Sequence, residues 1–194
     1  MKNEILYEVN QDVKFLDEIA ALPEGGEILS CIQCGTCSGT CPVGAYMEHT
    51  PRRIFAMVRA GMKSQVLESA TPWICASCYK CTVNCPEEIK ITEIMYALKR
   101  KAIREGVTPK NPDGQRFVKI FTSLVRRFGR GYELGLMLRF MLPGKFLELL
   151  KQAPLGLKMF RQGRMPLLPH SVKDKEGFQK MVQRAMELDG GDQK

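Results

Sequence analysis

All eight cysteines of this 194-residue sequence lie in two short runs, and the spacing within the two runs is the same. The first run, CIQCGTCSGTCPV, begins at Cys31, and the second, CASCYKCTVNCPEEI, begins at Cys75. Both follow the pattern C-x2-C-x2-C-x3-C-P. Thiolates are the protein ligands that zinc and iron–sulfur clusters prefer. The spacing therefore predicts that the thiols act as two sets of four.

Three chemistries compete for such runs. A disulfide framework is typical of small secreted chains, whereas the opening MKNEILYEVNQDVKFLDEI is amphipathic and acidic, without the apolar core of a signal peptide. Zinc sites usually have C-x2-C knuckles separated by a longer loop, but here a third cysteine follows at once. Two [4Fe–4S] clusters fit the spacing best, because a loop with a cysteine at every third residue can reach three irons of one cubane. The sequence predicts a cytoplasmic protein.

The fourth cysteine of each run is expected to bind the cluster of the other run, as in the bacterial two-cluster pattern. The first cluster is then held by Cys31, Cys34, Cys37 and Cys85. The second is held by Cys75, Cys78, Cys81 and Cys41. This crossed assignment predicts that the two runs lie antiparallel and close together in one core. The proline after each fourth cysteine fixes φ and helps to turn the chain away.

Helical periodicity surrounds both runs, and no sustained period-2 pattern occurs, so the predicted fold class is all-α. A helix is predicted over residues 1–22, ended by PEGG. Its apolar residues at three- and four-residue steps are Ile5, Val9, Val13, Leu16, Ile19 and Ala20. A capped helix follows each run: Thr50 and Pro51 begin one, and Thr92 caps the other, which ends at Gly106. Their predicted apolar faces are Ile54, Phe55, Val58 and Met62 in the first helix and Ile94, Met95, Leu98 and Ile103 in the second. Four cysteines, a proline and a helix thus form an internal duplication.

Three segments are predicted: an N-terminal helical segment (1–26), a helical domain with both clusters (27–110), and a helical C-terminal extension (111–194). Residues 107–115 (VTPKNPDGQ) are predicted to be a linker. The extension contains short amphipathic helices that Gly or Pro is expected to break. Residues 116–168 contain 11 basic and 2 acidic side chains, a net charge of +9, whereas residues 1–115 have a net charge of −1.

The basic segment is expected to dock on a large partner protein, because its phenylalanines need to be buried. These are Phe117, Phe121, Phe128, Phe140, Phe146 and Phe160. An in-plane membrane helix remains open, as does a helical extension folded back on its own core. Nucleic-acid binding is not expected, since the basic residues alternate with a full apolar face and no known motif is present. No uncharged apolar run is long enough to span a bilayer.

A few single residues carry further hypotheses. Lys80 lies between two cysteines, where a cation would favour a reduced cluster. Trp73 either shields a cluster or packs in the core. Arg52 and Arg53, in the first turn of a helix, either dock a partner or form a solvated face. The two histidines, His49 and His170, lack ligand spacing and are not expected to bind metal.

The paired cysteine runs with a helical insert resemble the α-helical ferredoxin family. Within that family the sequence is most similar to the C-type iron–sulfur subunits of heterodisulfide reductases. The similarity lies in CIQCGTCSGTCPV, TPRRIFAMVRAGM and WICASCYKCTVNCPEEIKITEIMYALKRKA, over roughly residues 25–110. The resemblance implies an α-helical ferredoxin core, to which this chain adds an N-terminal helix and a basic amphipathic extension.

The resemblance also implies a function without an active site in this chain. In heterodisulfide reductases the C-type subunit passes electrons from the A-type flavoprotein to the B-type protein, whose CCG domains carry the disulfide chemistry. The chain is therefore expected to relay single electrons between an A-like flavoprotein and a B-like CCG-domain protein. The alternative is an iron–sulfur adaptor that links a dehydrogenase to the membrane quinone pool, with peripheral membrane contact. A free-standing ferredoxin is disfavoured by the basic, apolar C-terminus.

Overall fold

The computed structural model describes residues 12–23, 25–142, 146–163 and 168–191, and these residues contain helices and no strand. The prediction of an all-α fold is confirmed. The helices of the first part are α1 (Phe15–Ala20), α2 (Thr36–Gly39), α3 (Pro51–Arg59), α4 (Lys63–Glu68), α5 (Thr71–Ile74), α6 (Lys80–Val83) and α7 (Ile91–Arg104). Those of the second part are α8 (Asp113–Phe128), α9 (Glu133–Met141), α10 (Phe146–Arg161) and α11 (Lys175–Gly191). Two 3₁₀ turns, Gly26–Ser30 and Gly44–Tyr46, flank the first cysteine run.

The chain divides into two compact units, residues 1–115 and 116–194. The break follows the segment predicted as a linker, although α8 already begins at Asp113. The first unit contains both cysteine runs and one apolar core. Its buried members are Phe15, Ile19, Ile28, Ile54, Phe55, Met57, Val58, Val66, Leu67, Ile89, Ile91, Ile94, Met95, Leu98 and Ala102. Several of the cysteines pack against this core, so the same apolar residues that stabilise the unit also position the thiols.

Helix α3 begins as the sequence predicts, with Thr50 at the N-cap and Pro51 in the first turn. The Thr50 side chain makes no capping hydrogen bond. Instead, the Arg52 amide donates to Ser38 Oγ at 3.0 Å, which ties the start of the helix to the first cysteine run. One face of α3 is buried, including Ile54, Phe55 and Val58. Gly61, with φ +70°, follows the helix in a left-handed conformation that favours glycine.

Helix α7 differs from the prediction at its start. It begins at Ile91 after Lys90, so the prediction that Thr92 caps the helix is wrong. Thr92 lies inside the first turn and is buried, and its amide donates to Thr82 Oγ1 at 3.4 Å. The helix ends before Gly106, which has φ +67°, as predicted. Ile103, predicted on the apolar face, is 46% exposed because the buried stripe ends at Ala102.

The first helix is shorter than the sequence predicts within the described residues. Residues 1–11 of the predicted helix lie outside them, and α1 covers Phe15–Ala20. Val13, placed on the apolar face by its spacing, is 86% exposed, whereas Phe15 and Ile19 are fully buried. Glu18 of α1 pairs with Lys101 at 2.7 Å and with Lys63 at 3.1 Å. These ion pairs join α1 to α7 and to the start of α4.

The second unit contains α9, α10, α11 and nearly all of α8. Phe117 stacks on Phe121 and meets Phe140 edge-on, at ring-centroid distances of 6.4 and 5.9 Å. Phe117 and Phe121 are nevertheless 44% and 43% exposed, and Phe160 is 47% exposed. The side chain of Phe146 lies outside the described residues. None of the described helices is long and apolar enough to cross a membrane.

The sequence predicts a break at Pro154, and this prediction is wrong. Helix α10 continues through Pro154 from Phe146 to Arg161. A proline inside a helix removes one backbone hydrogen bond and disturbs the preceding turn, which bends a helix without always ending it. The break near Gly129 is confirmed: α8 ends at Phe128, and Gly129 has φ +74°, with the Val172 side chain so close that a Cβ would meet it at 2.5 Å.

Candidate metal centre

Two cavities in the first unit are each lined by four cysteines. The first is lined by Cys31, Cys34, Cys37 and Cys85. The second is lined by Cys75, Cys78, Cys81 and Cys41. Each cavity thus combines the first three cysteines of one run with the fourth cysteine of the other. Helices α2 and α6, which carry Cys37 and Cys81, pack against each other and bring the two runs together.

The two cysteine loops have the same backbone form. Left-handed residues occur at the same two places, Gln33 and Gly35 in the first loop and Ser77 and Tyr79 in the second. Their φ angles are +60° and +85° in the first loop and +54° and +59° in the second. Successive residues that alternate between right-handed and left-handed conformations form concave turns whose amides can bind anions. The sequence duplication is therefore also a duplication of loop geometry.

No backbone carbonyl engages the amides of either loop. Within the part of the chain that the structure describes, the backbone N–H groups of residues 32–37 and 76–81 donate to no backbone carbonyl. The Thr36 amide hydrogen-bonds with the Cys34 thiol instead. The sulfides and thiolates of an iron–sulfur cluster accept hydrogen bonds of this kind, and these bonds influence the reduction potential. The loop amides therefore fit a cluster in each cavity.

Neighbouring side chains hold the loops in place. Arg59 Nη1 donates to the carbonyl oxygen of Cys31 at 2.6 Å, at the start of the first loop. Gln33 Nε2 lies 3.3 Å from Cys31 Sγ. In the second loop, Thr92 Oγ1 lies 3.7 Å from Cys81 Sγ. Hydrogen bonds to ligand sulfurs are among the contacts by which a protein tunes a metal centre.

The thiols experience different environments. Hydrogen bonding from Thr36 lowers the pKa of Cys34, an exposed residue. Burial raises the pKa of Cys37. Burial also raises the pKa of Cys41, and the nearby Cys81 and Cys75 raise it further. A metal ligand must be a thiolate. Cys37 and Cys41 therefore need a positive partner such as a metal to stay deprotonated at neutral pH.

The thiols surround cavities and do not converge on one point. Among the described residues, no three His, Cys, Asp or Glu side chains are close enough to hold one metal ion. A [4Fe–4S] cluster has one cysteine on each of four irons, so its ligands surround a larger volume than those of a single ion. The rest of each lining is mainly apolar, including Phe55 at the first cavity and Met95 at the second. These features fit a cluster.

Several residues singled out in the sequence do not line either cavity. Lys80 is exposed at the start of α6. Trp73 packs against the apolar core, and its Cβ lies 2.8 Å from the place that a Cβ on Gly114 would occupy. His49 exchanges backbone hydrogen bonds with the Thr71 hydroxyl, at 2.9 and 2.8 Å, and its Nδ1 is buried without a partner. His170 is exposed.

Other residues at the cavities are ones that sequence reasoning missed or used differently. Arg52 and Glu87 line the first cavity, and Thr92 lines the second. For Arg52 the sequence suggests only docking or a solvated face. One signal could have pointed to Arg52 and Thr92: each lies in the first turn of the helix that follows its cysteine run. Their orientation depends on how α3 packs against α2 and α7 against α6, which spacing alone does not give.

Comparison with known proteins supports this interpretation of the first unit. Residues 27–89 match the family described as a 4Fe-4S dicluster domain. The matched range contains all eight cysteines. The sequence-based expectation of iron–sulfur binding is thereby supported independently of the cavity geometry.

Several curated homologues are named as C-type subunits of heterodisulfide reductases. The chain is 34% identical over 103 residues to the C-type subunit of the H(2):CoB-CoM heterodisulfide,ferredoxin reductase of Methanothermobacter marburgensis, covering 53% of this chain and 55% of that one. It is 40% identical over 84 residues, 43% of this chain and 52% of the other, to the C-type subunit of a ferredoxin/F(420)H(2)-dependent CoB-CoM heterodisulfide reductase of Methanosarcina acetivorans. The iron-sulfur C-type subunit of the Methanopyrus kandleri CoB--CoM heterodisulfide reductase is 32% identical over 127 residues, 62% and 65% of the two chains.

The resemblance to the C-type subunits of heterodisulfide reductases that the sequence predicts is confirmed by these homologues. The matched region spans about half the length of the first curated relatives. The family match ends at residue 89, so the basic second unit lies outside it.

Proposed function

We propose that this chain is an electron-transfer iron–sulfur subunit of a complex like heterodisulfide reductase, with its C-type homologues as the starting point. The observation that carries the proposal is the pair of four-cysteine cavities whose loop amides donate to no backbone carbonyl among the described residues. Two matching sites in one unit suit relay of electrons better than chemistry on a substrate. We assign no catalytic residue to the chain.

Each cavity would hold one [4Fe–4S] cluster, and each cluster supplies the uptake and release of one electron. Cys31, Cys34, Cys37 and Cys85 would provide the thiolates of the first. Cys75, Cys78, Cys81 and Cys41 would provide those of the second. The loop amides that no backbone carbonyl accepts would be available to donate toward the added negative charge, and Phe55, Ile91 and Met95 would limit the access of water.

The proposed partners follow from the resemblance to heterodisulfide reductases. The chain would pass electrons between an A-like flavoprotein and a B-like CCG-domain protein that reduces a disulfide. The second unit, whose exposed apolar residues include Leu155, Leu157 and Phe160, would dock on one of them. We place this complex in the cytoplasm, in contact with the membrane only through its partners.

Cluster content is the first test of this function. The full-length protein, purified without oxygen, is expected to contain about eight iron and about eight sulfide per chain, since two cubanes contain four of each. A content of half that amount would remove one cluster, and stoichiometric zinc would contradict the proposal. Reduction of the protein by a flavoprotein encoded beside it, followed by electron paramagnetic resonance, tests the relay itself.

A second candidate function is favoured by the charge and exposed apolar residues of the second unit. With a net charge of +9 over residues 116–168 and exposed Leu155, Leu157 and Phe160, the chain could tie a dehydrogenase to the quinone pool at a membrane surface. Co-purification separates the two functions. A flavoprotein with a CCG-domain protein supports the relay, whereas a membrane fraction with a quinone-reactive partner supports the adaptor.

A further inference from the structure

We infer that Arg52 raises the reduction potential of the first cluster, and that the equivalent place at the second cluster is filled by the neutral side chain of Tyr79. The inference rests on the proposed function, because it needs a cluster in each cavity. It concerns what makes the two sites unequal, although their cysteine spacing and loop geometry are the same. Unequal potentials give an electron a preferred site within the pair.

Two hydrogen bonds establish which positions correspond in the two halves. Ser38 and Thr82 each follow the third cysteine of a run. The Ser38 hydroxyl accepts from the amide of Arg52 at 3.0 Å, and the Thr82 hydroxyl accepts from the amide of Thr92 at 3.4 Å. Arg52 and Thr92 therefore occupy the same place in the helices α3 and α7. One half has a long cation there, and the other has a small hydroxyl.

The loops show the opposite exchange of size. Gly35 and Tyr79 each follow the second cysteine of a run, and both have positive φ. A Cβ added at Gly35 would lie 3.5 Å from Arg52 Cδ and 3.8 Å from Arg52 Nε. The space that a side chain would need at Gly35 is thus next to the Arg52 side chain. The second site combines a large loop residue, Tyr79, with a small helix residue, Thr92. The first site combines Gly35 in the loop with Arg52 in the helix.

Tyr79 retains its place at some backbone cost. A side chain with φ of +59° is uncommon outside glycine, asparagine and aspartate, and such positions concentrate at functional sites. The Tyr79 hydroxyl donates to Glu93 Oε1 at 3.1 Å, which fixes the ring at the second cavity. The ring covers this cavity without placing a charge there.

The charges at the two cavities differ accordingly. Arg52 and Glu87 line the first cavity, whereas the residues that line the second, within the described chain, carry no charged side chain apart from its cysteines. The cation that interacts with Cys75 of the second cavity is Lys99, which is half-buried and does not line that cavity. A cation beside a cluster stabilises the additional electron, and a carboxylate destabilises it. Arg52 and Glu87 therefore act in opposite directions on the first cluster. Both are exposed, so solvent screens each effect, and the shift remains local to that site.

The test is a redox titration of the full-length protein followed by electron paramagnetic resonance, comparing Arg52→Gln with Arg53→Gln. Both variants remove one positive charge from neighbouring exposed positions, but Arg53 lines neither cavity. Arg52→Gln is expected to lower one of the two midpoint potentials, and Glu87→Gln to raise the same one. Arg53→Gln is expected to shift both potentials little. Equal shifts in the two arginine variants, or no shift in Arg52→Gln, would overturn the inference.

A gain-of-charge variant tests the second site independently. Tyr79→Arg places a cation at the cavity whose lining has none, and it is expected to raise the other midpoint potential while the Arg52-sensitive one stays in place. A rise in the Arg52-sensitive potential would contradict the assignment. Iron and sulfide contents separate the two levels of proposal. Two clusters with unmoved potentials would reject the inference alone, whereas a protein without two clusters would reject the proposed function.

Discussion

At the scale of residues, the fourth cysteine of each run is the one whose cavity cannot be read from the spacing alone. Cys41 follows α2, a helix of a single turn, and that turn moves the chain away from the cavity of Cys31, Cys34 and Cys37. Cys41 lines the second cavity instead. The exchange is mutual, since Cys85 lines the first. Each cavity therefore depends on both halves of the duplication.

We predict that Cys41→Ala damages the second cluster and leaves the first intact. Its thiol lies with Cys75, Cys78 and Cys81, more than thirty residues away in the sequence. The matched control is Cys37→Ala in the same run, which is expected to affect the first cluster. Iron content and the electron paramagnetic resonance spectrum of each variant distinguish the two. Loss of the same signal in both variants would show that the run binds one cluster alone.

The sequence sorts the cysteines into the two sets that line the two cavities, but it says little about the neighbours of these cysteines. Spacing and the general two-cluster ligation pattern are enough to sort the eight thiols into two sets, because the spacing is a local property and is repeated in both runs. Lys80 attracts a tuning hypothesis because it lies between two cysteines, yet it is exposed and does not line the cavity. Arg52 approaches from another helix. Sequence distance does not report such a contact, since it depends on how α3 packs.

At the scale of elements, the helix ends decide how the first unit is held together. Asp12 and Gly61 come from distant parts of the sequence, yet the Asp12 amide donates to the Gly61 carbonyl at 2.8 Å. Gly61 ends the segment after α3, and a Cβ there would lie 2.7 Å from the Asp12 carbonyl oxygen. Only a residue without a side chain allows this approach.

We predict that Gly61→Ala destabilises the protein more than Gly106→Ala. Both positions have similar φ, +70° and +67°, so both variants should lose about 1–2 kcal/mol from backbone strain. At Gly106 nothing lies within 4 Å of the added Cβ, whereas at Gly61 the backbone of Asp12 must move. Thermal unfolding followed by circular dichroism measures the difference. Equal losses in unfolding free energy would show that the contact with Asp12 contributes nothing.

The ion pairs of α1 give a prediction about pH. Hydrogen bonds from Lys101 and then Lys63 lower the pKa of Glu18. A carboxylate with a lowered folded-state pKa stabilises the fold above its unfolded value of about 4.3 and loses that effect as pH falls through the folded value. Glu18→Gln should therefore reduce the unfolding free energy by roughly 1 kcal/mol. The size of this reduction should be the same at pH 8 and at pH 5.

Asp17→Asn is the control for this prediction. Asp17 is exposed in the same helix and forms no ion pair with the described residues, so its replacement should leave the unfolding free energy nearly unchanged. Urea unfolding of both variants at the two pH values gives the comparison. A Glu18→Gln effect that disappears at pH 5, or an equal effect of Asp17→Asn, would contradict the role assigned to these ion pairs.

The two longest helices of the first unit, α3 and α7, could be predicted, because periodicity and helix boundaries are local properties. Pro51 and Gly106 mark helix ends that the structure confirms. Thr92 looks like a cap but is buried inside the first turn of α7, where the Thr82 hydroxyl accepts from its amide. Val13 lies at helical spacing from other apolar residues, yet its side chain is exposed. These errors arise where a tertiary contact decides, since local preference alone fixes neither a cap nor the buried face.

At the scale of the whole molecule, the two units differ in charge and in surface. Residues 1–115 have a net charge of −1 and contain both four-cysteine cavities. The second unit has the excess of positive charge and exposes Leu155, Leu157 and Phe160 on α10. Exposed large apolar side chains on one helix, next to Lys158 and Arg161, are typical of a surface that a partner covers. The first unit would then relay electrons while the second maintains contact with the complex.

This division of roles predicts that α10 can be altered without loss of the clusters. The double variant Leu155→Ser and Phe160→Ser should lose association with the A-like or B-like partner while retaining about eight iron per chain. Leu188→Ser in α11 is the control, since Leu188 is 60% exposed and Leu155 is 59% exposed. Co-purification of each full-length variant with the two partners is the measurement. If association survives the double variant but sedimentation with vesicles of anionic lipid falls, α10 contacts a membrane surface, and the docking role proposed for the second unit is wrong.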